Sequence, residues 1–175
     1  MELIRVKTEE FSAVYREMEK NFIPEERRDE ADARAALENP LYALYHTVDD
    51  GKRVGFVSTW QFEDFLFVEH LVTYEEFRGC GYGRRTLDCL KEFGFPIVLE
   101  VEPPTTETAK GRIEFYKKVG FCLNDYAYFQ PPYRVGGEGV EMILMSYPLA
   151  LDEPEHVKDA LYRTVYHVKE NPYES

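Results

Sequence analysis

Apolar residues recur along the chain at two spacings, and the switches between those spacings outline the secondary structure. Leu3-Ile4-Arg5-Val6 reads as a short opening strand. Phe11, Val14, Tyr15 and Met18 then fall on one helical face, with Thr8 placed to cap the helix. Pro24-Glu25-Glu26 predicts a second helix start, since proline lacks a donor that the first turn leaves unused and acids suit its positive end; Asn39-Pro40 closes the segment. Three strands are expected next, over 41–48, 54–62 and 65–73. The first two flank Asp49-Asp50-Gly51-Lys52, a hairpin turn signal, so an antiparallel meander follows.

Helical spacing returns with Leu87, Leu90 and Phe93, and Gly94 and Pro96 mark the stop. Ile97-Val98-Leu99-Glu100-Val101 is a strand broken by Pro103-Pro104, and the crossover back to it implies a locally parallel pair. Thr106 is placed to cap a helix carrying Ala109, Ile113 and Tyr116 before Gly120. Two last strands, 121–129 and 140–147, flank the Pro- and Gly-rich stretch from Gln130 to Gly137. Beyond Pro148, Val157, Ala160, Leu161, Thr164 and Val168 form the stripe of an amphipathic C-terminal helix. The boundaries are set at 1–149 for the main domain and 150–175 for a helical extension, whose stripe suits a sheet edge or the partner surface of a homodimer.

Composition narrows the function classes. A hydrophobic share of 44% with 13 tyrosines and 12 phenylalanines supplies a sizeable core. Cys80, Cys89 and Cys122 are odd in number and not closely paired, which predicts free thiols and a cytoplasmic setting. No apolar run approaches the roughly 20 residues that cross a bilayer, so no membrane role is expected. A net charge of −12 argues against nucleic-acid binding, which needs a basic stripe, and mildly favours cationic partners. His46, His70, His156 and His167 show no metal-ligand spacing, and no metal is expected.

Local positive charge sits in Arg78-Gly79-Cys80-Gly81-Tyr82-Gly83-Arg84-Arg85, between a predicted strand and a predicted helix. Backbone N–H groups converge at such a helix start and favour anions, and glycines let them approach a phosphate closely. Arg84 and Arg85 stand in the first helical turn, where a cation is disfavoured by roughly 0.3–1 kcal/mol unless an anion is bound. Because the third glycine of a dinucleotide fingerprint would fall at Arg84 and no Walker lysine follows, nucleotide-triphosphate chemistry is disfavoured. A plain surface loop is the alternative reading.

Arg78-x-x-Gly81-Tyr82-Gly83 resembles the R/Q-x-x-G-x-G/A pyrophosphate signature of the GNAT superfamily of CoA-dependent N-acyltransferases. Ile113-Glu114-Phe115-Tyr116-Lys117-Lys118-Val119-Gly120-Phe121 is similar to that family's tyrosine-bearing helix and Gly-Phe turn. The order of predicted elements agrees from about Glu2 to Tyr147. Arg112-Ile113 before Phe115-Tyr116, with Gln130-Pro131-Pro132-Tyr133, further resembles a bacterial subgroup. Ala109 departs from the pattern, since many relatives carry an asparagine there that contacts CoA.

The resemblance implies an α/β fold with a mixed, mostly antiparallel central sheet of about seven strands, helices on both faces, and CoA entering where the fourth and fifth strands diverge. It implies an acetyl-CoA-dependent N-acetyltransferase working on a primary amine of a small molecule or peptide by direct attack in a ternary complex. The cofactor-binding residues would be Leu71, Val72 and Thr73 beside the pantetheine, with Arg78, Gly79, Cys80, Gly81, Tyr82, Gly83 and Arg84 at the phosphates. Tyr116 stands where family members protonate the departing thiolate, and a phenol with a pKa of about 10 remains a donor at neutral pH. An ordinary core tyrosine is its alternative reading.

Glu69, between apolar strand residues, is the leading general base, with Glu100, Glu102 or water able to substitute. A solvated acid at a strand edge is the alternative for Glu69. For the whole chain the rival is an acyl-CoA-binding sensor that has lost turnover, and transfer of a longer acyl group is a further one. Acceptor choice is expected to depend on the loops at 21–28 and 130–139.

Overall fold

The computed structural model describes residues 1–168, which divide into two compact units, Met1–Ile97 and the part from Val98 onward. Among the described residues there are eight strands and five α-helices, an α/β fold whose strands are mostly antiparallel.

The first unit begins with β1 (Glu2–Arg5), α1 (Phe11–Asn21) and α2 (Glu30–Ala36). The strands β2 (Tyr42–Asp49), β3 (Lys52–Gln61) and β4 (Leu66–Thr73) follow, and α3 (Tyr82–Lys91) comes after them. Strands β1 to β4 pair in sequence order, each antiparallel to the next. The β2–β3 turn has Asp50 at φ 47° and Gly51 at φ 73°, the two left-handed residues that match the twist of a tight hairpin. α1 buries Phe11, Val14, Tyr15 and Met18, the stripe read from the sequence.

Pro24 does not start the second helix. Pro24–Glu26 form one 3-10 turn, the backbone is extended at Arg27, and α2 begins only after Asp29, whose side chain caps it by accepting from the Asp32 N–H. Long-range contacts decide this. Arg27 is buried, donating to the Tyr15 hydroxyl at 2.5 Å, and Arg28 is buried with it, so the chain here follows side-chain partners rather than helix propensity.

The second unit holds β5 (Ile97–Val101, its first residue in the preceding unit), α4 (Glu107–Lys118), β6 (Cys122–Leu123), β7 (Tyr128–Gln130), β8 (Val140–Tyr147) and α5 (Pro154–Thr164). Strand β8 lies between β5 and β6 and also pairs with β7. The single strand expected over 121–129 is two short ones. Asn124, buried between them, donates to the Leu144 carbonyl and the Ser146 hydroxyl and accepts from the Leu151 N–H, which pulls the chain out of the ladder. That split accounts for one strand more than expected. α4 is capped by Thr106, whose hydroxyl accepts from the Ala109 N–H at 3.1 Å.

Candidate active site

Two glycines shape the Arg78–Gly83 turn. Gly79 (φ 77°) and Gly81 (φ 81°) are both left-handed, a conformation costly for residues bearing a Cβ, and Gly81 is the N-cap of α3. Because a glycine stands at the cap, no side chain there accepts a hydrogen bond from the first-turn N–H groups, which remain available to an anion. Arg78 and Arg84 are exposed beside it. The Arg78 guanidinium donates to the Asn21 amide oxygen at 2.8 Å, and Arg84 lies only 3.8 Å from Asp88. Cys80 is exposed, and Tyr82 and Gly83 are half-buried.

Arg85, in that same first turn, is engaged elsewhere. It makes two 2.6 Å bonds to the Asp49 carboxylate, which hold that carboxyl down to about 2. The pair ties α3 to the end of the β2–β3 hairpin, so one of the two unfavourable first-turn cations has an intramolecular explanation.

On β4, Leu71, Val72 and Thr73 face Val57, Phe56 and Gly55 of β3 in regular register. Gly55 belongs to this arrangement although the sequence gives no hint of it. A Cβ there would lie 1.9 Å from the Val72 carbonyl oxygen, so only glycine lets the two strands meet at this point.

The register slips next to Glu69. Ser58 faces His70 and Thr59 faces Val68, which leaves Glu69 as the extra residue of a β-bulge. Its side chain is fully buried rather than solvated at an edge. It forms an ion pair with Arg28 and accepts from Trp60 Nε1 at 3.1 Å, while the Arg28 guanidinium lies 5.3 Å from the centre of the Trp60 ring. Burial raises the carboxyl pKa, but the positive charges of Arg28 and His70 and the hydrogen bonds from Arg28 and Trp60 outweigh it, and the net shift is downward. A carboxylate so stabilised is a weak proton acceptor.

In the second unit Tyr116 sits on α4, 9% exposed, with the rings of Phe115 and Phe121 at 5.2 and 5.6 Å. Burial pushes its phenol up to about 12 against a smaller opposing effect of Arg112, so it stays protonated across the neutral range. The two alternative glutamates are also engaged. Glu100 accepts from the Tyr128 and Tyr166 hydroxyls at 2.5 and 2.6 Å, and Glu102 pairs with Arg112 at 2.9 Å. Ala109, where relatives place an asparagine, is buried.

His46 and His70 are both buried, and no cluster of three or more potential metal-ligating side chains exists among the described residues. No helix among them is long and apolar enough to cross a membrane.

Comparison with known proteins places these features in a family. The family model described as "Acetyltransferase (GNAT) family" matches residues 9–121. The Bacillus subtilis (strain 168) protein YjbC, an acetyltransferase by inferred assignment, is 34% identical over 110 residues, a span that is 61% of this chain and 55% of that protein. A solved GNAT-family structure from Bacteroides thetaiotaomicron, likewise an inferred acetyltransferase, is 35% identical with a TM-score of 0.91, covering 97% of this chain and 100% of that one. An aminoglycoside 6'-N-acetyltransferase solved with coenzyme A matches at a TM-score of 0.54 and 19% identity, over 83% of this chain and 96% of that one, a likeness of fold alone. On the family match and on a relative aligned over nearly its whole length, the chain belongs to the GNAT family of acetyltransferases.

Proposed function

We propose that this acetyltransferase moves the acetyl group of acetyl-CoA to a primary amine of a small molecule or peptide, by direct attack in a ternary complex. The observation that carries the reading is the Arg78–Gly83 turn, where left-handed glycines leave the first-turn N–H groups of α3 uncapped beside two exposed arginines. A pyrophosphate bound there uses the N–H groups and the positive helix end, with Arg78 and Arg84 as cations and Gly79 to Gly83 as the cradle. Leu71 to Thr73 would lie beside the pantetheine.

In the transfer, the neutral amine attacks the thioester carbonyl and a C–N bond forms. Collapse then breaks the C–S bond, the sulfur takes the proton of the Tyr116 hydroxyl, and the phenolate regains a proton from solvent. The proton lost by the amine goes to solvent, because Glu69, Glu100 and Glu102 are each engaged by arginine, tryptophan or tyrosine donors. An amine of pKa about 10.4 must then deprotonate without a dedicated carboxylate, so kcat/KM should climb about tenfold per pH unit below that value.

Calorimetry with CoA and single-turnover kinetics of Tyr116→Phe test this directly. The variant should lose about 10²–10⁴ in the acetyl-transfer step and keep its CoA affinity, while Gly81→Val should weaken CoA at least about tenfold by forcing a side chain into a left-handed turn. Absence of CoA binding by the intact protein would overturn the assignment. The engaged glutamates favour one other reading, an acyl-CoA-binding sensor without turnover. Tight acetyl-CoA binding with no transfer across a broad amine panel would select it.

A further inference from the structure

Within the first unit, α1, the β2–β3 pair and the segment Tyr74–Arg78 enclose a cleft of about 540 Å³, a volume typical of small-molecule sites. His46 of β2 lines it. The residue is 3% exposed, and both imidazole nitrogens lack a hydrogen-bond partner among the described residues. Glu10 comes closest, 3.6 Å from Nε2, but its carboxylate is already held by Arg53 and by the Lys7 N–H. Burial, aided by the charge of Arg53, lowers the His46 pKa against the pull of Glu10, so the neutral ring offers one donor and one acceptor. Buried polar atoms are rarely left unsatisfied, and His46 belongs to a cleft wall.

The charges of the wall say what would satisfy them. Lys20, Arg53 and Arg78 face it, and so do Glu17, Glu75 and Glu76, equal numbers of each sign. Lys20 and Glu17 neutralise one another at 2.6 Å. Arg53 is likewise held by Glu10, Arg78 bonds only the neutral amide of Asn21 among the described residues, and Glu75 and Glu76 form no ion pair among them. A simple anion would meet the two glutamates, and a simple cation would leave Arg78 unmatched. A molecule with both charges a few ångströms apart meets opposite partners at each end.

We infer that this cleft binds a small zwitterion, a molecule of free-amino-acid chemistry whose carboxylate lies toward Arg78, whose ammonium lies toward Glu75 and Glu76, and whose polar groups satisfy His46. The site shares Arg78 with the proposed pyrophosphate turn, and its occupancy is measurable without CoA.

The test is a titration of the intact, CoA-free protein followed by the His46 ring resonances, assigned with His46→Gln, and by calorimetry. The probes are L-glutamine and diglycine as zwitterions, with acetate, methylamine and inorganic phosphate as singly signed controls. A saturable shift is expected with at least one zwitterion, at an affinity at least about tenfold better than any control. His46→Gln, and separately Glu75→Gln with Glu76→Gln, should each weaken that zwitterion at least about tenfold. Circular dichroism and thermal melts serve to show that the variants are folded. No shift at roughly 50 mM of either zwitterion, a cleft filled by solvent alone, would overturn the inference. So would a control that binds as well as the zwitterions.

Discussion

The buried pair of Arg28 and Glu69 makes the sharpest stability prediction. The Glu69 side chain is wholly shielded and that of Arg28 is 8% exposed, so Arg28→Met strands a carboxylate away from water with Trp60 still donating to it. Removing one partner of such a pair costs about 3–5 kcal/mol. With a urea dependence of about 2 kcal/mol per molar, the unfolding midpoint should fall by roughly 1.5–2.5 M. Glu69→Gln retains an acceptor for Trp60, and the double variant should cost less than the sum of the singles, because neither partner is left charged and alone.

The pH dependence of this pair should change sign. In the native protein the folded carboxyl pKa lies below its usual 4.5, so the pair contributes stability above that value and loses it as pH falls through the lowered folded pKa. Without Arg28 the opposing effect of burial prevails and the folded pKa rises. The variant should then be relatively most stable below about 4.5 and lose stability as pH rises through its raised pKa. Urea melts of both proteins between pH 4 and 7 measure this. A midpoint for Arg28→Met within about 0.3 M of the parent, or parallel pH slopes, would refute the reasoning.

Gly55→Ala should abolish or severely weaken folding, at a cost above about 3 kcal/mol, because the new methyl meets the Val72 carbonyl at 1.9 Å within the ladder; soluble yield and thermal melts report it. Alkaline titration followed by tyrosinate absorbance, compared with Tyr116→Phe, should assign to Tyr116 a phenol titrating at about 12. Since its unfolded value is near 10.0, its contribution to stability should be intact below pH 10 and lost as pH rises through about 12; a tyrosine that ionises near 10 in the folded protein would count against this.

Much of the fold is legible in the order of residues, and the legible parts share a cause. The Thr106 cap, the Asp50-Gly51 turn, the left-handed Gly94 and Gly120, and the stripes of α1 and α4 depend on backbone torsions and on neighbours three or four residues away. The same locality makes the Arg78–Gly83 turn readable. What failed was set by distant partners. Arg27 and Arg28 drew the chain after Pro24 away from a helix, and Asn124 split a strand by bonding across twenty residues to Leu144.

By itself, then, the sequence determined the α/β class, most strands and helices, and the glycine turn at the start of α3, because periodicity and torsional preference act within a few residues. Only tertiary structure decided the state of the ionisable groups. Glu69 reads as an exposed acid or a base until Arg28 and Trp60 close around it, Arg85 reads as a first-turn cation awaiting an anion until Asp49 takes it, and His46 is unremarkable until burial leaves its ring nitrogens without a hydrogen bond among the described residues. Protonation energetics depend on which charges and how much water lie within a few ångströms, and for these groups the decisive neighbours are nine to forty-one positions away or the absence of water itself.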